Sequence, residues 1–303
     1  TTRAGWYVVA DFDGRPGDEL AFVDHAGADI HDVRTPALVR RLDFEGDGGQ
    51  VWGAFSSLVR RPDDTFLIVD TGGGFSETRV RGLDGRLLWE YRPDPPLPPD
   101  ALRPADLDGV GQAELYGASN DAVERFDLGG TRVWTQPARL AHLAAILPSN
   151  ADSPAWVVGV EHGRAIHVWN AEGQRLARRP HAAGSGRVMA SDSFARRVIM
   201  EGDRVARGTD LAGSVRFEVP LGDFHLFDAV GVQLAAGAPP ALALVGTTDR
   251  HTARSRLLIL TAADRVVYDE ILDVAPRLFV VTHDEGQTLV VADTNGVRAI
   301  RTR

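Results

Sequence analysis

The 303-residue sequence contains no cysteine, which excludes disulfides, thiolate metal centres and cysteine nucleophiles. It contains no lysine either. All 33 basic residues are arginine, which matches a GC-rich genome and rules out a Walker A phosphate loop, since that loop needs lysine. No apolar run approaches the roughly 18–20 residues that span a bilayer, and no secretory leader opens the chain at Thr1-Thr2-Arg3. An opening without methionine predicts a processed form or an excised domain. A basic surplus is also missing. With a net charge of −9 the chain lacks the cationic surface that displaces phosphate counterions, so nucleic acid is not an expected partner.

What is present is apolar sequence in short pieces. Hydrophobic residues make up 44% of the chain, enough for a proper core. They fall in runs rich in Val, Leu, Ile and aromatics, bounded by Gly, Pro, Asn and Asp, and such runs read as strands. Long helical periodicity is lacking. One kind of run recurs seven times, anchored at Leu20, Phe66, Leu115, Trp156, Val198, Leu242 and Leu289, with steps of 41 to 49 residues. That period is the ~40–50 residues of a four-stranded propeller blade. A second marker keeps the same phase. Asp84-Gly85, Gly129-Gly130, Ala212-Gly213 and Ala263-Asp264 are followed by Trp89, Trp134, Phe217 and Tyr268, whereas Glu172-Gly173 has Ala177 in the aromatic slot. These read as two-residue hairpins in which Gly supplies positive φ. The aromatics are expected on the outer strand, packed between neighbouring blades.

The expected fold is therefore all-β: a seven-bladed β-propeller of four-stranded antiparallel blades in a single domain, residues 1–303. The blades run roughly 5–48, 49–94, 95–138, 139–183, 184–222, 223–274 and 275–303. Radial repetition leaves few exposed edges, which favours it over two sandwiches or a solenoid. The proline-rich stretch Asp94 to Asp100 becomes an interblade loop. The last repeat stops after its third strand. Either Thr1 to Ala4 closes it, or the last blade is incomplete, or the natural chain continues upstream.

The turn Asp106-Leu107-Asp108-Gly109-Val110-Gly111-Gln112-Ala113-Glu114-Leu115, with its copy from Asp11 to Leu20, resembles the repeat of FG-GAP and VCBS proteins, the family of integrin α-subunit propellers. The hairpins Leu83 to Trp89 and Asp127 to Trp134 are similar to those of PQQ-like propellers, without implying that cofactor. Membership would imply an extracellular, cell-surface or periplasmic protein used for recognition. It would also imply Ca2+ in the acidic turn, held by Asp11, Asp13 and Glu19 or by Asp106, Asp108 and Glu114. A hard cation wants six to eight oxygens, so carboxylates on a short loop fit, but the fifth place is Arg15 in one copy and Val110 in the other. The Asp106 turn is then the better candidate. The competing explanation is that these Asp residues cap their own turns.

The loops after the second strands carry Asp24, Asp70, Asp121, Glu161, Glu201, Asp249 and Asp293, a candidate acidic rim for ligand binding on one face. Turn chemistry explains much of this pattern as well. The nine His residues form no HExxH, so zinc is not expected, although His142, His225 and His283 fall on first strands. Arg60-Arg61, Arg178-Arg179 and Arg196-Arg197 read as solvated edges. No nucleophile elbow is present. The functional expectation is a non-enzymatic, monomeric binding propeller for a protein or glycan partner. The alternative is a propeller enzyme of the polysaccharide lyase or hydrolase type, using acidic residues at the channel mouth.

Overall fold

The computed structural model describes residues 6–13, 18–24, 27–32, 37–43, 56–71, 78–92, 102–108, 112–119, 121–150, 152–161, 164–181, 187–194, 196–235, 237–248, 254–273, 276–283, 286–293 and 296–300. Among them every regular element is a β-strand. The strands form seven antiparallel sheets, each made of strands consecutive in sequence. The first sheet is β1 (Trp6–Ala10), β2 (Glu19–Val23), β3 (Gly27–Asp32) and β4 (Ala37–Asp43), and the second is β5 (Ser56–Arg60), β6 (Phe66–Thr71), β7 (Thr78–Gly82) and β8 (Leu87–Tyr91). The third is β9 (Arg103–Ala105), β10 (Glu114–Ala118), β11 (Ala122–Phe126) and β12 (Arg132–Pro137). The fourth is β13 (His142–Leu147), β14 (Trp156–Glu161), β15 (Ala165–Trp169) and β16 (Arg175–Pro180). The fifth is β17 (Arg187–Ser193), β18 (Arg196–Gly202), β19 (Val205–Thr209) and β20 (Val215–Pro220). The sixth is β21 (His225–Val232), β22 (Ala241–Thr247), β23 (Ser255–Ala262) and β24 (Arg265–Leu272). The last has, among the described residues, three strands: β25 (Arg277–His283), β26 (Gly286–Asp293) and β27 (Gly296–Ile300). The fold class is a seven-bladed β-propeller with an incomplete last blade. The chain divides into two compact units, residues 1–178 and 179–303.

All seven apolar anchors lie on the second strand of their sheet. These strands are buried on both faces, which is why they read as near-continuous apolar runs rather than alternating ones. Every residue of β22 is buried, and so are the first five of β14. The core is a series of layers between successive sheets. Within the first unit, Val59, Leu67 and Val80 pack with Leu115 and Phe126, and Tyr116 and Val123 pack with Leu143, Val157 and Trp169. In the second unit, Val198, Met200 and Phe217 pack with Leu242, Leu244 and Leu258. Each such side chain contributes about 1.5–3 kcal/mol when fully buried. Fourth strands such as β12 and β16 alternate exposed and half-buried residues, as edges do.

In the sixth sheet Ala262 pairs with Arg265, so Ala263-Asp264 is the two-residue hairpin expected, whereas three other turns between third and fourth strands are longer. Asp127 Oδ1 accepts the Thr131 N–H at 2.8 Å, and its carbonyl accepts the Gly130 N–H at 3.1 Å. Asn170 serves Gln174 and Gly173 in the same way, and Asp210 serves Ser214 and Gly213. Gly130, Gly173 and Gly213 adopt φ of 87°, 78° and 87°. The pairing register slips beside two of these turns, between Arg125 and Phe126 and between Gly208 and Thr209. The physical reason is the Asx cap, which holds one more residue in the turn and leaves Gly as a bulge.

The turns also seat two of the expected aromatics between blades. The Trp89 indole donates to the Leu128 carbonyl at 3.1 Å, and that of Trp134 donates to the Ala171 carbonyl at 2.9 Å. A Cβ on Gly130 would lie 2.7 Å from Trp89, and one on Gly173 2.8 Å from Trp134. Phe217, in the layer shared with Leu242 and Leu244 of the next sheet, also meets Phe194 of the turn between β17 and β18 edge to face, ring centroids 4.9 Å apart.

Candidate functional site

Glu19 and Glu114 open β2 and β10 and pair with Ala10 and Ala105, so both acidic turns hang on their sheets in one register. In the first turn, carboxylate oxygens of Asp11, Asp13 and Glu19 all lie within 4.8 Å of one another. Glu19 is buried, and its Oε2 accepts the Phe12 N–H at 2.8 Å. Desolvation raises its pKa above the ordinary glutamate range; the Phe12 N–H works against this, and the charges of Asp13 and Asp11 add to it. Arg60 stands 3.6 Å from Asp11. Three converging carboxylates on one short turn suit a hard divalent cation.

The second turn does not fit one. The Arg125 guanidinium is ion-paired with Glu114 and lies 3.6 Å from Asp108, and the Tyr116 hydroxyl donates to Glu114 at 2.8 Å. Arg125 also donates to the Ala171 carbonyl at 2.8 Å. A fixed organic cation thus sits where a metal ion would. The registers explain the difference. Arg125 pairs with Tyr116, two residues after Glu114, whereas Ile30 pairs with Ala21, two residues after Glu19. Among the described residues the Asp106 turn, the better candidate by sequence, is therefore the one whose carboxylates already hold an arginine.

The carboxylates after the second strands are mostly engaged. Asp24 Oδ1 accepts the Gly27 N–H at 3.0 Å, and Asp293 Oδ1 accepts that of Gly296 at 3.2 Å, both capping their turns. Asp121 is exposed, and its carbonyl accepts the Ala138 N–H at 2.9 Å. Glu161 contacts His167 Nε2 and Arg178, each at 3.1 Å. The His167 bond, then that from Arg178, hold its carboxyl below the usual range despite some desolvation. Glu201 is buried, ion-paired with Arg179, 3.3 Å from His181 Nδ1, and accepts the Thr209 hydroxyl at 3.2 Å. The Asp70 side chain and Asp249 lie outside the described residues.

The arginine pairs are not merely solvated edges. Arg197 clasps Asp192 with two bonds of 2.8 and 2.9 Å, and Arg60 pairs with Asp64 as Arg178 and Arg179 pair with glutamates. Among the histidines on first strands, His142 is exposed, His225 contacts Asp203, and His283 Nε2 lies 3.0 Å from the Thr288 hydroxyl. His167 stacks on Trp169 with centroids 5.3 Å apart, and its Nδ1 has no partner among the described residues. Burial pushes its pKa down, more than Glu161 raises it.

A further group was not singled out by the sequence. Arg187 pairs with Gly202 and Arg277 with Ala292, so both first strands begin at the sheet end that carries the Glu201 and Asp293 turns. Between them, in the sixth sheet, Phe227 receives both guanidiniums: that of Arg187 lies 4.4 Å and that of Arg277 4.9 Å from its ring centroid. Arg187 also donates to the Phe227 carbonyl at 3.1 Å. Neighbouring Asp228 accepts the Ala229 and Leu278 N–H groups, both at 3.0 Å. Desolvation raises its pKa, against those bonds and the charges of Arg277 and Arg187. The only sequence signal was an arginine opening each of two first strands, Arg187-Val188 and Arg277-Leu278.

Comparison with known proteins supports the architecture and stops there. No family model matches the chain, and no curated protein sequence matches it. Among solved structures, BBS1N in complex with ARL6DN, soaked with lead, superposes with a TM-score of 0.63 at 9% identity over 99% of this chain and 92% of that one. The mercury-soaked form of the same complex gives 0.65 with the same identity and coverage. At such identity the likeness establishes a shared propeller fold.

Proposed function

We propose that the chain is a non-enzymatic binding propeller that recognises a protein partner through the sheet ends carrying the second-to-third-strand turns. One observation carries this reading: among the described residues, Asp24 and Asp293 at those ends cap their turns, and Glu161 and Glu201 are held by arginine and histidine partners. A propeller lyase or hydrolase needs a carboxyl poised to give or take a proton. Glu161 is shifted the wrong way for a general acid. Asp228 is shifted upward, but both its oxygens accept backbone N–H groups. The neighbours of like fold are complexes of BBS1N with a protein, ARL6DN, which fits a scaffold that works by recognition. Rigid blades presenting short turns favour binding with little change of shape.

Two finer parts of the reading come from the resemblance to FG-GAP and VCBS repeats. Calcium belongs at the Asp11 turn, where Asp11, Asp13 and Glu19 would hold it as a blade stabiliser. An extracellular, cell-surface or periplasmic site of action goes with it, and cell fractionation tests that. The test of function is reciprocal affinity capture combined with a glycan array and an assay on uronate-containing polysaccharides. A saturable protein complex without turnover is expected. Release of unsaturated or hydrolysed sugar would overturn the reading in favour of an enzyme, and array binding without a protein complex would make the chain a lectin.

A further inference from the structure

We infer that β24 is an edge strand open to β-sheet addition and that a second copy of this chain occupies it, the two β24 strands pairing antiparallel about a two-fold axis. The inference goes beyond the binding reading above and does not depend on it. In each of the six four-stranded sheets the fourth strand ends the sheet. Such an edge presents unpaired N–H and C=O groups on which another strand can grow. Five of the six edges are guarded by proline, which has no N–H to offer. β12, β16 and β20 end on Pro137, Pro180 and Pro220, β4 follows Pro36 directly, and β8 is followed by Arg92-Pro93. β24 has no proline within it or beside it, and at eight residues it is the longest of the six. Its pairing with β23 slips beside the turn, as the pairings of β4, β8, β12 and β20 also do, and then runs in even register from Tyr268 to Leu272.

The strand is complementary to itself. Full-length antiparallel pairing of two copies sets Arg265 opposite Leu272 and Val266 opposite Ile271, twice over by symmetry. Val266 and Ile271 are 48% and 46% exposed, so both are available for that cross-strand contact, which is the unit of sheet stability. Arg265 is exposed, has no side-chain partner among the described residues, and falls on the diagonal to Glu270 of the other copy, within reach of a long side chain. Asp269 and Glu270 are balanced by Arg256 and Arg298, so two copies meet without bringing bare carboxylates together. Tyr268 and Leu272 pack against the apolar layer that includes Leu257 and Leu278, which holds the strand in place. A second copy is favoured over a foreign strand because the same residues supply both halves of every contact, as a two-fold interface requires. One strand pair is smaller than a standard stable interface, so the dimer should dissociate on dilution.

Sedimentation equilibrium of the whole chain, from micromolar to millimolar concentration, should show a reversible monomer–dimer equilibrium in place of the expected monomer. Ile271→Lys removes both apolar contacts and should give a folded monomer. Val133→Lys, a similarly exposed change on β12, should dimerise like the wild type. Arg265→Glu sets like charges on both diagonals and should weaken the dimer about tenfold. A wild type that stays monomeric throughout overturns the inference, and so does a folded Ile271→Lys that still dimerises. Loss of the dimer in Val133→Lys, or assemblies larger than a dimer, overturns the two-fold β24 arrangement. Should Ile271→Lys fail to fold, hydrogen exchange on the wild type decides. Amides of β24 that gain protection as concentration rises support the pairing, and protection independent of concentration overturns it. A captured partner that displaces the dimer and needs Ile271 would give the edge to a foreign strand and overturn the second copy as its occupant. Each of the other failures leaves the binding reading as it stands.

Discussion

Single residues decide the local chemistry, and two glycines illustrate how. Gly173 combines a φ of 78° with an indole where its Cβ would go, whereas Gly237, at φ 73°, has nothing within 4 Å. Both Gly→Ala changes carry the strain of a left-handed backbone, about 1–3 kcal/mol, but only Gly173→Ala also displaces Trp134. Denaturant melts should therefore rank Gly173→Ala as clearly the more destabilising. His167 gives a pH signature. Its folded pKa lies below the ordinary 6.5, so the folded state binds protons less readily than the unfolded one. Its contribution is present above 6.5 and is lost as pH falls from there towards the folded value. His167→Gln should flatten the fall in melting temperature between neutral and mildly acid pH. An unchanged pH slope would mean the ring is not held neutral. Gly130 and Gly173 were legible in the sequence because positive φ leaves a compositional mark. Arg125 was not, because which acid it meets depends on pairing register rather than on any local pattern.

At the scale of the element, the acidic turns are the informative case. Their five shared residues make them look alike, yet the third strands bring Ile30 to the place in one sheet where the other has Arg125, which fills the second turn. Calcium should raise the melting temperature of the wild type, and the rise should vanish in Asp11→Asn. Asp108→Asn should leave it intact. Glu19 adds a sign: its raised pKa means that ionisation is disfavoured in the fold, so its contribution is fully present below about 4.5 and is lost as pH rises through the folded value. Glu19→Gln should thus stabilise the metal-free chain at neutral pH while removing the calcium response. Arg125→Gln, which strands Glu114 without its cation, should cost about 2–4 kcal/mol in a denaturant melt, less than a fully buried pair because both groups keep some solvent contact. The second strands were the most readable elements, since burial on both faces forces an unbroken apolar run. The third-to-fourth turns capped by Asp127, Asn170 and Asp210 were misread by one residue because an Asx cap looks, in sequence, like any other Asp or Asn, whereas Ala263-Asp264 is the two-residue turn expected.

For the whole molecule, periodicity carried the architecture and composition carried very little of the function. Seven apolar anchors spaced 41 to 49 residues apart are enough to count blades, because each blade repeats one packing problem. The candidate rim was legible as a row of acidic residues, but their engagement with Gly27, Gly296, Arg178 and Arg179 only emerges from the fold. The arginines on Phe227 escaped notice because strand-opening arginines are common and their convergence is a matter of neighbouring sheets. The central claim, recognition of a protein through the second-to-third-strand ends, is tested most directly by hydrogen exchange on the chain alone and in complex with its captured partner. The account predicts added protection around Asp24, Asp121, Glu161, Asp203 and Asp293 and at the starts of β17 and β25, with the outer strands unchanged. Protection confined to outer strands such as β12, β16 and β24 would contradict it.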